Sequence, residues 1–299
     1  MNLSRRHFLH SSLALGAGLP HLSHAAETSY EICVFNKPLQ HMSYGEQAEL
    51  VAEIGFAGIE GTVRKGGHVE PDKVEKDLPT QVKALQKNGV EMTLMTTDIN
   101  NADDEIHQRV LKTAADLGIT RFRMGSIKYD TEYPITEQLK NIRETFRKLV
   151  DFCKPLGIQP LYQNHSGAGR FGAGLWDLKW VLADIDPADA AVAFDIRHAT
   201  VEGGQSWPTE FQLIRPHFGL VYCKDFVWKD DNKRPENVPL GTGRVEYPRF
   251  FSMLKKTDYD GPISLHMEYK DHRKPELLNE SIAAVRADMK SIQEIIRKS

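Results

Sequence analysis

Cysteine is scarce in this chain. There are three in 299 residues, Cys33, Cys153 and Cys223, widely separated and in no C-x-x-C spacing. That argues against both a disulfide framework and a structural zinc site, so packing must hold the fold together. Basic charge is not in excess either, with 38 Lys and Arg against 41 Asp and Glu. Nothing in that balance favours a phosphate backbone, and a nucleic-acid partner is not expected. No G-x-G-x-x-G follows the first predicted strand, which leaves a dinucleotide-binding fold without support. No linker, low-complexity run or composition shift interrupts residues 26–299, and the 40 % hydrophobic, 26 % charged composition is that of a globular protein.

The first 25 residues read as an address. Arg5 and Arg6 precede Phe8 and Leu9, a mildly apolar stretch runs from Ser12 to Leu19, and Ser23-His24-Ala25 supplies a small-residue cleavage pattern. This resembles a twin-arginine export signal, with an apolar region too short to span a bilayer. The expectation is an exported or periplasmic protein, not inserted in the membrane once residues 1–25 are removed, with a single domain over 26–299.

From Tyr30 onward the hydrophobic period alternates between short strand-like runs and longer amphipathic segments. Strands are predicted at 30–35, 58–63, 90–96, 120–126, 158–164, 190–196, 219–225 and 262–268. Helices are predicted near 44–54, 79–88, 104–117, 137–156, 175–184, 208–215, 247–256 and 276–297. Gly89, Gly118 and Gly157 each follow a last helical turn, as left-handed caps do. Eight βα units of this length predict a closed (β/α)8 TIM barrel in one domain.

Strand alternation then sorts the polar residues. With Ile263, Leu265 and Met267 facing the helices, Ser264, His266 and Glu268 face the barrel axis. The same rule turns Asp195 and Arg197 inward on the sixth strand, Tyr222 and Lys224 on the seventh, and Gln163 with His165 on the fifth. It turns Glu60 inward on the second strand and Arg123 on the fourth, and makes Cys223 a packing thiol. These residues fall toward the C-terminal strand ends, where barrel enzymes build their sites. Burying so many ionisable groups without purpose would be costly. A plainer reading, in which Asp195, Arg197, Glu60 and Arg123 form a self-neutralising plug, stays open here. Phe171, Trp176, Trp207 and Trp228 could cover a sugar face or simply pack, and the glycine-rich stretches 167–174 and 240–243 could form a lid or an oxyanion nest.

The segments Phe194-Asp195-Ile196-Arg197-His198-Ala199, Lys224-Asp225-Phe226 and Tyr259-Asp260-Gly261-Pro262-Ile263-Ser264-Leu265 resemble the xylose-isomerase-like sugar phosphate isomerase/epimerase superfamily. The resemblance covers essentially all of 30–297. It implies one divalent cation held by a Glu, an Asp, a His and a Glu on the last four strands. Here Asp195 matches, but Gln163, Tyr222 and His266 stand at the other three positions, with Glu268 as a nearby substitute. Two sites follow from that departure. In one, Mg, Mn or Zn is held by Gln163, Asp195 and Glu268. In the other, which is metal-free, Lys224, Arg197, Arg123 and His198 stabilise an oxyanion and Glu268 or His266 moves the proton. Substrate contacts are expected from Glu60, Arg123, His165, Arg197, Tyr222 and Trp207. The implied function is isomerisation or epimerisation of a small carbohydrate through an enediolate. A non-catalytic carbohydrate-binding barrel and a lyase or hydrolase acting on oxidised glycosides are the alternatives.

Overall fold

The computed structural model describes residues 30–229 and 234–299. The predicted export segment, 1–25, lies outside the described residues. Eight parallel strands close into a barrel: β1 (Ile32–Phe35), β2 (Gly58–Thr62), β3 (Glu91–Thr96), β4 (Arg121–Arg123), β5 (Gln159–Gln163), β6 (Ala191–Asp195), β7 (Phe218–Cys223) and β10 (Ile263–Leu265), with β10 pairing back onto β1. The outer ring is α1 (Tyr44–Ile54), α2 (Val74–Lys87), α3 (Glu105–Asp116), α4 (Ile135–Cys153), α5 (Trp176–Val181), α6 (Ile196–Gly203), α7 (Trp207–Ile214), α8 (Tyr247–Leu254) and α9 (Leu278–Lys298). The predicted single (β/α)8 barrel is therefore what forms.

Local chemistry sets the boundaries. Ser43 and Glu46 form a reciprocal capping box at the start of α1, and Asp104 accepts from the amides of Ile106 and His107 to start α3. Gly89, Gly118 and Gly157 have φ of 69°, 76° and 65°, the left-handed stops that the sequence predicts. Pro79 misleads as a start signal. It lies inside α2, which begins five residues earlier because a 3-10 turn at Pro71–Lys73 has already wound the chain.

Two apolar layers form. Val192, Phe194, Val221, Cys223, Ile263, Leu265 and Met267 join the large core between strands and helices. Inside the barrel, Cys33, Leu94, Leu161, Ala191, Ala193, Leu220 and Tyr222 make a second, small core. That inner layer fills the lower barrel, and polar groups take over above it. All three cysteines are buried and unpaired, and burial raises the Cys223 thiol well above its ordinary value, consistent with inert packing.

Two elements depart from the predicted pattern. An antiparallel hairpin, β8 (Asp225–Lys229) with β9 (Arg234–Val238), extends beyond the seventh barrel strand. And β6 ends at Asp195, whose side chain accepts from the His198 amide at 3.1 Å and caps α6. Arg197 and His198 therefore obey helical geometry instead of strand alternation. No helix among the described residues is long and apolar enough to cross a membrane.

Candidate active site

At the C-terminal mouth of the barrel, three hollows share Lys37. The innermost, about 210 Å³, reaches Arg123, Gln163, His165, Lys224 and Glu268. A wider one of about 620 Å³ lies between Arg197, β9 and the segment 267–273, and a third of about 370 Å³ opens beside Arg64. The inner hollow is smaller than the roughly 300–1,000 Å³ of a drug-sized pocket, a scale suited to a monosaccharide-sized group.

Below its floor, Glu60 is fully buried and saturated with donors. Ser264 Oγ gives to Oε2 at 2.7 Å, His266 Nε2 at 2.8 Å, Tyr222 OH gives to Oε1 at 3.1 Å, and Thr96 Oγ1 also gives to Oε1. Arg123 Nη1 adds its charge at 3.8 Å. Burial alone would raise this carboxyl, but His266, Arg123 and Thr96 outweigh it and bring it down to about 2. His266 is clamped between Phe35 (ring centroids 4.5 Å apart) and Tyr222 (4.2 Å). Glu60, Tyr222 and His266 thus form a polar plug that supports the site from beneath. Substrate contacts are expected of Glu60 and Tyr222 and proton transfer of His266, but the structure places all three below the hollow, buried and outside its lining.

On that plug sits a second cluster. Lys224 Nζ lies 3.1 Å from Asp195 Oδ2 and 3.0 Å from Glu268 Oε2, and Lys37 Nζ lies 3.3 Å from Glu268 Oε1. Burial would raise the Glu268 carboxyl, but Lys224, His266 and Lys37 hold it well below the usual carboxylate range. Gln163 spends its amide within the cluster, giving Nε2–H to Asp195 at 2.7 Å and accepting from Arg123 Nη1 at 2.8 Å. This donor set does not fit a divalent cation. An ammonium already bridges the two carboxylates, and the one neutral oxygen donor faces a guanidinium. Among the described residues, no group of three His, Cys, Asp or Glu is arranged to hold a metal.

A histidine pair forms the adjoining wall. His165 Nδ1 is 2.9 Å from the Ser166 carbonyl, which can only accept, so Nδ1 carries the proton and Nε2 the lone pair. Burial first, and then the Lys224 charge, lower His165 to about 4, so its ring is neutral at pH 7. His198 stacks behind it, with centroids 3.8 Å apart. Its Nδ1 accepts from Arg197 Nη1 at 3.0 Å and meets Ser166 Oγ at 2.7 Å. That places the His198 proton on Nε2, 3.5 Å from Asp195 Oδ2. His198, expected to act on the substrate, stands behind His165 and does not line the hollow. Arg197 points toward the wider hollow, its guanidinium over the Phe226 ring at 5.2 Å.

Trp207 is a further correction. It is buried at the start of α7 against Phe250, with Arg249 over its ring, and belongs to the helical layer. Phe171 likewise packs on Tyr162 and Tyr129. Nor is the 240–243 loop an oxyanion nest, because the Asp225 carboxylate takes its amides: Gly241 at 3.0 Å, Gly243 at 2.9 Å and Val245 at 3.1 Å. A Cβ on Gly243 would stand 2.2 Å from Asp225 Oδ1, which explains the glycine. The structure also adds residues that strand alternation missed. Lys37, Arg64, Asp98, Ser126 and Arg170 all line the inner hollow from beyond the strand ends. Position relative to those ends was the signal available, since Lys37, Arg64 and Asp98 each lie two residues past a strand.

The chain belongs to the xylose isomerase-like TIM barrel family, whose model matches residues 48–293. It is similar to the uncharacterized protein MJ1311 of Methanocaldococcus jannaschii, 26 % identical over 132 residues, a match that covers 44 % of each chain and so less than half of that relative. It is also similar to a ketose 3-epimerase of Arthrobacter globiformis, 22 % identical over 209 residues, covering 64 % of this chain and 68 % of that one. Among solved structures, the IOLI protein with a bound zinc atom superposes with a TM-score of 0.70 at 14 % identity, covering 90 % of this chain and 98 % of that one.

Proposed function

We propose that the protein is a sugar isomerase or epimerase that works through an enediolate without a divalent metal. One observation carries the reading: the lone pair of a neutral His165 and the ammonium of Lys224 border the same hollow. His165 Nε2 takes the proton from the carbon next to a sugar carbonyl. The C–H electron pair becomes the C=C bond, and the carbonyl pair moves onto oxygen. Lys224 and Arg123 stabilise that oxyanion, preorganised by Asp195, Glu268, Gln163 and Glu60. Return of the proton to the former carbonyl carbon, with the neighbouring hydroxyl proton passing to the former carbonyl oxygen, gives the isomer; protonation of the original carbon from the opposite face by water, with His165 giving its proton back to solvent, gives the epimer. Membership of a family with a ketose 3-epimerase among its relatives supports the carbohydrate class. The sequence of residues 1–25 supports action outside the cytoplasm, and intact Met1 on the protein recovered from the periplasm would count against cleavage of that segment.

Incubation with a panel of ketoses and keto-glycosides in deuterium oxide tests the reading. Deuterium should enter at the carbon next to the carbonyl, and His165→Gln should slow its entry by about 100-fold or more. The rate should be level near neutrality and fall as pH drops toward 4, because the base works only when neutral. Saccharide binding without exchange anywhere in the panel would instead identify a binding barrel.

A further inference from the structure

Five cations but only two carboxylates, Asp98 and Glu268, line the inner hollow. Three of the cations are accounted for: Lys37 pairs with Glu268, Lys224 with Asp195 and Glu268, and Arg123 with Glu60. Arg64 and Arg170 form no ion pair among the described residues. Yet both are built into place. Arg64 opens a tight turn after β2, closed by its own amide on Val69 O (3.1 Å) and by Gly67 N on Arg64 O (2.8 Å). Arg170 is tied to the opposite wall by a bridge to Lys128, and its Nη1 gives to Ser126 Oγ at 2.5 Å. Its stem lies against Gly167, where an added Cβ would meet Nε at 3.2 Å.

Half-buried guanidiniums beside other cations, with no carboxylate in direct contact, lose hydration without recovering it from an ion-pair partner. Burial and then the nearby Arg123 charge press against the ionised form of Arg64, and together they outweigh the more distant pull of Asp98, Glu60 and Glu268. A neutral sugar offers hydroxyls to such groups but leaves the charge uncompensated. A planar, two-oxygen anion matches the guanidinium fork.

We infer that the substrate carries an anionic group, a carboxylate or a phosphate monoester, received by Arg64 and Arg170 while its carbonyl lies toward Lys224 and His165. This specifies the substrate class of the site proposed above and rests on that reading only for the reaction. Arg170, Ser126 and Arg64 are binding residues, and the proton moves elsewhere.

Isothermal calorimetry with D-glucuronate, D-glucose 6-phosphate, inorganic phosphate and D-glucose tests it directly on the whole protein. At least one of the anions should bind ten-fold or more tightly than D-glucose, and its affinity should fall as sodium chloride rises from about 50 to about 500 mM. The sugar anion that binds distinguishes carboxylate from phosphate. Arg64→Gln and Arg170→Gln should each weaken the anion by about ten-fold, close to 1.4 kcal/mol, and weaken D-glucose by much less. Arg64→Lys should retain part of the affinity. D-glucose binding as tightly as every anion, binding of none of the anions, or anion affinity unchanged in both glutamine variants would overturn the inference. Should either variant fail to fold, the wild-type comparison still decides. Anion binding without deuterium exchange would remove the isomerase reading alone, and exchange on neutral ketoses with no anion preference would remove the anion alone.

Discussion

Replacing Lys224 with methionine is expected to slow proton exchange by about 100- to 1,000-fold and to turn the site into one that binds a divalent cation. The two effects share one cause. In the wild-type protein the ammonium lies 3.1 Å from Asp195 Oδ2 and 3.0 Å from Glu268 Oε2. It supplies the positive charge an enediolate needs and occupies the ground a metal ion would need. Methionine keeps the length of the side chain and removes the charge, leaving two carboxylates facing one another with Gln163 alongside. Like charges at that separation repel, so the variant should melt at a lower temperature until Mn2+ is added, and Mn2+ should then restore much of the loss. Calorimetric titration and thermal melts with and without Mn2+ check both arms. Wild-type protein that already holds one equivalent of metal on Asp195 and Glu268, or a methionine variant with undiminished exchange, would overturn the metal-free reading.

How much of this was legible in the sequence depends on the distance from a regular strand. Period-two alternation placed Gln163, Ser264, His266 and Glu268 on the axial face because β5 and β10, or the residues continuing them, keep the pleat. It failed at Arg197 and His198, where Asp195 becomes a helix cap and the period changes from 2 to 3.6 within one residue. Alternation also cannot tell an axial side chain that reaches the hollow from one sealed beneath it. Glu60 and Lys224 both point inward, yet five donors around the first make it structural, while the second stands at the opening. Arg64 and Arg170 lie in loops and Lys37 in a single 3-10 turn, none with a period to read, so only their placement just past strand ends or within a glycine-rich turn marked them. The D-x-x-H-A and K-D-F segments were informative about fold for a reason the structure makes physical. Asp195 caps α6 and Asp225 gathers the 241–245 amides, so both aspartates shape the mouth.

Glu60→Gln should cost the fold about 3–5 kcal/mol at neutral pH, the scale on which one partner of a buried charged network is removed. The amide keeps the volume but loses the charge that compensates Arg123, and its NH2 would face donors now met by a carboxylate oxygen. The pH dependence identifies the cause. A carboxyl lowered from 4.5 to about 2 in the folded protein stabilises it fully above pH 4.5, and that contribution drains away as pH falls through 2. The difference between wild type and Glu60→Gln should therefore be level above pH 4.5 and shrink below it. Both proteins should share a separate loss as pH drops from about 6.5 toward 4, where the unfolded chain gains protons that the buried His165 refuses. Because that second loss is common to both, it cancels in the difference, and urea melts of the pair from pH 7 down to pH 3 isolate Glu60. A difference that stays constant to pH 3 would assign the destabilisation to altered packing, leaving the carboxylate no electrostatic role beneath the site.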